Sequence, residues 1–303
     1  MRVFPLAACA ALVVLAVVPA QALESFVLYD DFNAPLINPS KWFGSEDPVR
    51  GTEAVRHIVC RGREPIVLEV NCATAIGKLL MGYRAYGDTS SNNDVAFNAL
   101  RLSFLNPGPV TAIRTTVTVV HLELTDCPAN IDATRARAMV GGTFFNTGTP
   151  TPGDFTNDVF GRVRLQRRVD STDPPGVLRA QGQVFRCLDP FCNFSDDLPI
   201  VFLGFVNLGQ PAMLGLQWDP ANSRFIFELN GATTGQTYPW LDAAPPAIQF
   251  KGLTLSLVVE NCILAPRPMA AMDALFDDVF VNASGAVTSA VPLTAQAVPS
   301  GNW

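Results

Sequence analysis

Histidine is almost missing from this 303-residue chain: there are two, His57 and His121, far apart in sequence. Charge is scarce as well, at 16% of residues against roughly 25% in an average soluble domain. No CxxC pair occurs, which with two scattered histidines argues against a zinc centre. Neither a G-x-S-x-G elbow nor a glycine-rich phosphate loop is present, so serine-hydrolase and nucleotide chemistry have no anchor. Beyond residue 22 no stretch is apolar for 18 residues together, and a bilayer-spanning helix needs about 20. Nor does any run read as an amphipathic helix of 12 or more residues, which argues against an α/β enzyme.

What is abundant points to strands. Hydrophobic residues make up 49% of the chain, with 20 Phe, 22 Gly and 24 Pro, a surplus of turn formers that suits many short strands. Strands are predicted at 26–32, 53–60, 65–71, 77–86, 112–124, 136–145 and 159–169, then at 176–187, 199–206, 212–218, 224–229, 253–261 and 275–282. Most are bounded by Gly, Pro, Asn or Asp. About a dozen strands with no internal linker predict one all-β domain, a two-sheet antiparallel sandwich over residues 23–283.

The ends differ from this body. Arg2, the apolar run Leu6–Val18 and Ala20-Gln21-Ala22 have the order of a signal peptide over residues 1–22, which predicts a secreted or periplasmic protein. Residues 284–303 carry no charge and are rich in Ala, Val, Pro, Ser and Thr, the composition of a flexible tail. Without the leader, 20 basic residues face 27 acidic ones, a formal charge of −7 that disfavours a nucleic-acid partner. Cys9 leaves with the leader, and Cys60, Cys72, Cys127, Cys187, Cys192 and Cys262 remain. An even number in an exported chain predicts disulfides. Six cysteines allow 15 pairings; short separations make Cys60 with Cys72 and Cys187 with Cys192 the easiest, which leaves Cys127 with Cys262.

Three ordered segments carry a resemblance. They are Tyr29-Asp30-Asp31-Phe32 with Ser40-Lys41-Trp42, then residues Gly215 to Gly231, which contain Gln217-Trp218-Asp219 and Phe225-Ile226-Phe227-Glu228-Leu229-Asn230-Gly231, and last Phe276-Asp277-Asp278-Val279-Phe280-Val281. Together they resemble the concanavalin A-like lectin and glucanase superfamily, the jelly-roll sandwich of laminin G-like domains, legume lectins and laminarinase-type glycosidases. The resemblance implies this architecture and not a defined activity. Laminarinase-type members use two glutamates in E-x-D-x-x-E or E-x-D-x-E, because retaining hydrolysis needs a nucleophile and an acid/base about 5 Å apart. Neither form occurs here. Some relatives hold a structural Ca²⁺ through an aspartate of the final strand near the N-terminal segment. That position is Asp277, with Asp31 a second ligand.

The remaining candidates come from alternation. Arg135 and Arg137 alternate with Ala136 and Ala138, while Arg162, Arg164, Gln166 and Arg168 alternate with Val163 and Leu165. Two neighbouring strands would present one cationic face able to hold an acidic sugar in bidentate fashion, with His121 and Glu123 expected one strand over. Trp240, in the Pro-rich stretch around Tyr238-Pro239-Trp240, is the candidate aromatic platform for a sugar ring. Asn193-Phe194-Ser195 and Asn282-Ala283-Ser284 match the N-glycosylation pattern. The expected role is non-catalytic recognition of carbohydrate or a related surface polymer, with no cofactor required by any motif. The alternatives are a structural or adhesion component of an envelope, and a diverged glycosidase or lyase.

Overall fold

The computed structural model describes residues 25–34, 37–38, 40–48, 54–57 and 77–286. The leader, Cys60, Cys72, the strand expected at 65–71 and the tail beyond residue 286 lie outside the described residues. Two eight-stranded antiparallel sheets face each other. Numbered along the chain, the back sheet runs β14 (Ala232–Thr237), β13 (Arg224–Leu229), β12 (Ala212–Asp219), β6 (Ala112–Leu124), β16 (Met269–Asn282), β4 (Leu79–Tyr86) and β3 (Ala54–His57). Its eighth strand, β1 (Phe26–Asp30), pairs with the far end of β16.

The front sheet runs β10 (Ser195–Asp197), β9 (Val177–Cys187), β8 (Asp158–Arg168), β7 (Arg135–Asn146), β15 (Lys251–Glu260), β5 (Val95–Phe104) and β2 (Trp42–Pro48). β11 (Val201–Asn207) also pairs with β9, along the stretch that β10 leaves open. The only α-helix among the described residues is the single turn Ala283–Ala286 that follows β16, so the first residues assigned to the tail close the last strand. No helix of the described residues is long and apolar enough to cross a membrane.

Period-2 alternation builds the core. Ala136, Ala138 and Val140 of β7, Val163 and Leu165 of β8, and Leu253, Leu255 and Leu257 of β15 point inward from the front sheet. Leu214, Leu216, Phe225, Phe227, Met272 and Phe276 meet them from the back sheet. At one end the opening motif forms an aromatic knot. Trp42 stacks on Phe104 with ring centroids 4.9 Å apart, and its indole N–H donates to the buried Asp30 carboxylate at 2.6 Å. The Tyr-Asp-Asp-Phe segment is therefore a clamp on Trp42.

Cys127–Cys262 joins the chain just after β6 to the chain just after β15, tying the two sheets together. Cys187–Cys192 closes the turn between β9 and β10. Five strands depart from the sequence expectation: β2 and β10 are not among the predicted strands, nor are β5 and β14, and β16 starts early. β5 is unforeseen although Leu100-Arg101-Leu102-Ser103-Phe104 alternates; its first half does not, because Phe97 and Ala99 are covered on the outer face as Leu100 and Leu102 are on the inner one. β14 is unforeseen for the opposite reason. Its residues are polar and mostly exposed, and it pairs with β13 through Asn230 and Gly231, both at positive φ as a tight hairpin turn requires. β16 begins at Met269, six residues before its predicted start.

Candidate functional site

Register places the predicted arginines on one face. Across β7 and β8, Arg135 stands opposite Arg168, Arg137 opposite Gln166, and Met139 opposite Arg164. Their neighbours Ala136, Ala138, Val163 and Leu165 are in the core, so the charged side chains project from the outer face of the front sheet. One strand further, β9 adds Gln181 opposite Arg164 and Gln183 opposite Arg162. The result is a groove of about 340 Å³, walled by these arginines and glutamines, with Asp94 and Asp197 on its rims and Phe97, Val258 and Ile200 as apolar lining.

The partners of the guanidiniums define its chemistry. Arg162 donates from Nε (3.1 Å) and Nη2 (2.7 Å) to Gln183 Oε1, and Arg164 donates to the same oxygen from Nη1 at 2.6 Å. Arg164 also reaches Gln181 Oε1 at 3.3 Å, and Arg137 Nε donates to Gln166 Oε1 at 2.8 Å. Neutral amide oxygens thus orient these three cations. Arg168, in contrast, is matched by Asp170 through two bonds of 2.8 Å. Arg137 and Arg164 are only 7% and 2% exposed.

Holding like charges so close under cover has a cost. Burial first, then the neighbouring guanidiniums, pushes Arg137 and Arg164 well down from the ordinary arginine range. Arg162 is pulled to about 10 by burial, with Asp197 opposing. Burial and Arg168 lower Arg135 as well, and its Nε meets no hydrogen-bond partner. A guanidinium keeps its proton inside proteins, so these shifts express an unfavourable charge that an anion would relieve. Opposite Arg137 on β15, the buried Ser256 hydroxyl is also without a hydrogen-bond partner.

Beyond Arg162 the same face becomes aromatic. Phe160 and Phe185 stack with centroids 5.0 Å apart, and the Arg162 guanidinium lies 4.7 Å from the Phe185 ring. With Phe97, Phe155, Ile248 and Phe250 they form a second apolar cluster on the outside of the front sheet. These rings are buried and brace the groove from its end.

Other candidates fall elsewhere. His121 and Glu123 lie on β6 in the back sheet, so they are not one strand over from the arginines; β6 neighbours β12 and β16, and a break in register at Ala274 turns His121 outward toward Asp273, 3.8 Å away. Trp240 is not a platform in the groove. It is half-buried against the core, stacks beside Tyr238 and donates from its indole N–H to Asp196 at 3.2 Å, held on the core side by Arg186. Asp277 is engaged by Lys78 at 3.1 Å, and Asp31 caps the backbone of Asn33. Among the described residues no three His, Cys, Asp or Glu side chains are grouped to hold a metal. Of the two glycosylation patterns, Asn282 is fully buried and its carboxamide oxygen accepts from Thr111 and Ala112, so it is closed to modification in the folded chain.

The polar groove residues that sequence reasoning missed are Gln183, Asp94 and Asp197, together with Gln181, which orients Arg164 from beside the groove. Gln181 and Gln183 alternate with Ala180, Gly182 and Val184 just as the arginines of β8 do, so the same period-2 signal marks them.

Two eight-stranded antiparallel sheets packed face to face form a β-sandwich. No family model matches the chain, and no curated protein sequence matches it. Among solved structures the chain is similar to LamAcat from Zobellia galactanivorans, with 12% identity, TM-score 0.42, and 86% of this chain and 98% of that one covered. It is also similar to the family 7 alginate lyase A1-II′, at 11% identity and TM-score 0.39 over 70% of this chain and 82% of the lyase. The Emp46p carbohydrate recognition domain matches at 9% identity and TM-score 0.34, over 75% and 88% respectively.

Proposed function

We propose that this chain is a non-catalytic recognition module for an acidic polysaccharide, acting outside the cytoplasm and holding carboxylate or sulfate groups in the arginine groove. One observation carries the reading: Arg137, Arg162 and Arg164 are oriented by glutamine oxygens and not by carboxylates. Charge-assisted bonds from arginine to an oxyanion are about twice as strong as neutral ones, and the planar fork suits two-point contact. Their spacing favours a polymer. Successive outward residues on a strand lie about 7 Å apart, so Arg162 and Arg164, with Arg137 on the next strand, match acid groups that recur along a chain. The groove's polar lining among the described residues is arginine and glutamine with two aspartates at the rims, groups suited more to gripping an anion than to moving protons.

The test is a set of acidic polysaccharides titrated against the oxidised protein, with product analysis for cleavage. Saturable binding without cleavage is expected. Arg137→Ala and Arg164→Ala should each weaken it by roughly 10- to 100-fold, the worth of one charge-assisted pair, while circular dichroism and Tm remain those of a folded protein. Equal affinity in both variants would overturn the proposal, and cleaved product would replace recognition with catalysis.

A further inference from the structure

The outer face of the front sheet carries a second feature at its edge. β11 pairs with β9 so that Phe202 stands opposite Gln181 and Phe205 opposite Arg179. Residues three apart on a regular strand would point to opposite faces. A bulge between Phe202 and Gly204 inserts one residue into β11, and the extra residue turns both phenylalanines to one side. Their rings touch edge to face with centroids 5.0 Å apart. Gln181 and Arg179 point outward, because Leu178 and Ala180, which alternate with them, are in the core; the phenylalanines therefore stand on the face that bears the arginines.

Two cross-strand rows connect these rings to the groove. One runs Phe202, Gln181, Arg164 and Met139; the other runs Phe205, Arg179, Gln166 and Arg137. At about 4.8 Å per strand, Phe202 lies about 10 Å along the sheet from Arg164. Ile200, which lines the groove, is two residues ahead of Phe202 on the same segment. The phenylalanines are 53% and 57% exposed, whereas Phe97, Phe160 and Phe185 on the same face are each under 8%. On this face, then, the β11 pair offers free ring surface next to the cationic lining.

We infer that Phe202 and Phe205 form a stacking subsite for a sugar ring of the same polymer whose acid groups sit on Arg137 and Arg164. The inference rests on the proposed function and deepens it. A pyranose has an apolar face of C–H groups that packs on an aromatic ring, while its hydroxyls and acid group point to polar partners. The rows supply both kinds of contact in sequence, ring first and then amide and guanidinium. The edge position leaves the polymer free to continue past β11 into solvent.

Isothermal titration with galacturonate oligomers of two and six residues separates this inference from the reading beneath it. The hexamer should bind the Phe202→Ala/Phe205→Ala double variant about tenfold more weakly than the wild type, and the dimer equally well. Phe202→Tyr/Phe205→Tyr should retain wild-type affinity for both, and Arg164→Ala should lose affinity for both. Unchanged hexamer binding in the double alanine variant, with Arg164→Ala still defective, overturns the platform and leaves the groove standing. Failure of the wild type to bind either oligomer overturns both. Sedimentation adds a further check: a wild-type dimer that the alanine pair converts to monomer would make this face a contact between copies and also overturn the subsite.

Discussion

Lys251 shows what burial does to a single charged residue. It sits at the end of β15 on the core side, 2% exposed, with its ammonium donating to the Pro107 carbonyl at 3.0 Å and lying 4.9 Å from the Phe144 ring. Burial lowers its pKa to about 7 from the ordinary 10.5. Between those values the unfolded chain holds a proton that the native one has released, so stability rises with pH across that window and the cost of the charge is fully present below about 7. Lys251→Met should flatten the rise of Tm between pH 7 and 10; an unaltered slope would assign that dependence to other groups. Asp158 acts in a separate window. Burial pushes it up to about 6 although Asn146, Ala247 and Ile248 donate to it, so its contribution to stability falls as pH rises from about 4 to 6.

Among the elements, the two disulfides differ in what they join. Cys127–Cys262 closes a loop of separation 135 between strands of different sheets, and Cys187–Cys192 one of separation 5 within a turn. The chain-entropy argument assigns about 5 kcal/mol to the first and about 2 kcal/mol to the second. Urea unfolding of Cys127→Ala/Cys262→Ala against Cys187→Ala/Cys192→Ala should show the first pair losing more; the reverse order would mean that native contacts around the short turn outweigh loop closure. Strands were legible where one face is polar. β7, β8 and β9 announce themselves by alternating Arg or Gln with Ala, Val or Leu. β5 shows that contrast only from Leu100 to Phe104, and β14 hides behind Thr and Gln although its Asn230-Gly231 turn is a hairpin signal.

For the whole molecule, the groove gathers buried like charges, and any ligand that neutralises them would stabilise the fold by mass action. An acidic polysaccharide should therefore raise Tm in a concentration-dependent way, and the shift should shrink as salt is added. A neutral glucan of equal length should leave Tm unmoved, and an equal shift from that glucan would remove charge from the account. The arginine face was legible because β7 and β8 are consecutive and pair directly. Sheet membership was not. Nothing local to His121 and Glu123 says that β6 pairs with β12 and β16, strands that lie about 90 and 150 residues away in the chain. Trp240 misled for a related reason, since a Pro-rich setting does not reveal that Asp196 and Tyr238 await the ring on the core side.

The glutamines around Arg137, Arg162 and Arg164 have a consequence of their own. A carboxylate in their place would change charge in acidic surroundings, and the grip on a ligand would change with it. An amide does not titrate, and a guanidinium keeps its proton. The guanidinium–amide part of the proposed grip is therefore indifferent to acidity. The carboxylates in the groove's lining are Asp94 and Asp197, so with Asp94→Asn and Asp197→Asn in place the pH at which a bound polymer lets go would report the ionisation of the polymer itself. A carboxylated chain would leave as it becomes neutral, whereas a sulfated one would stay.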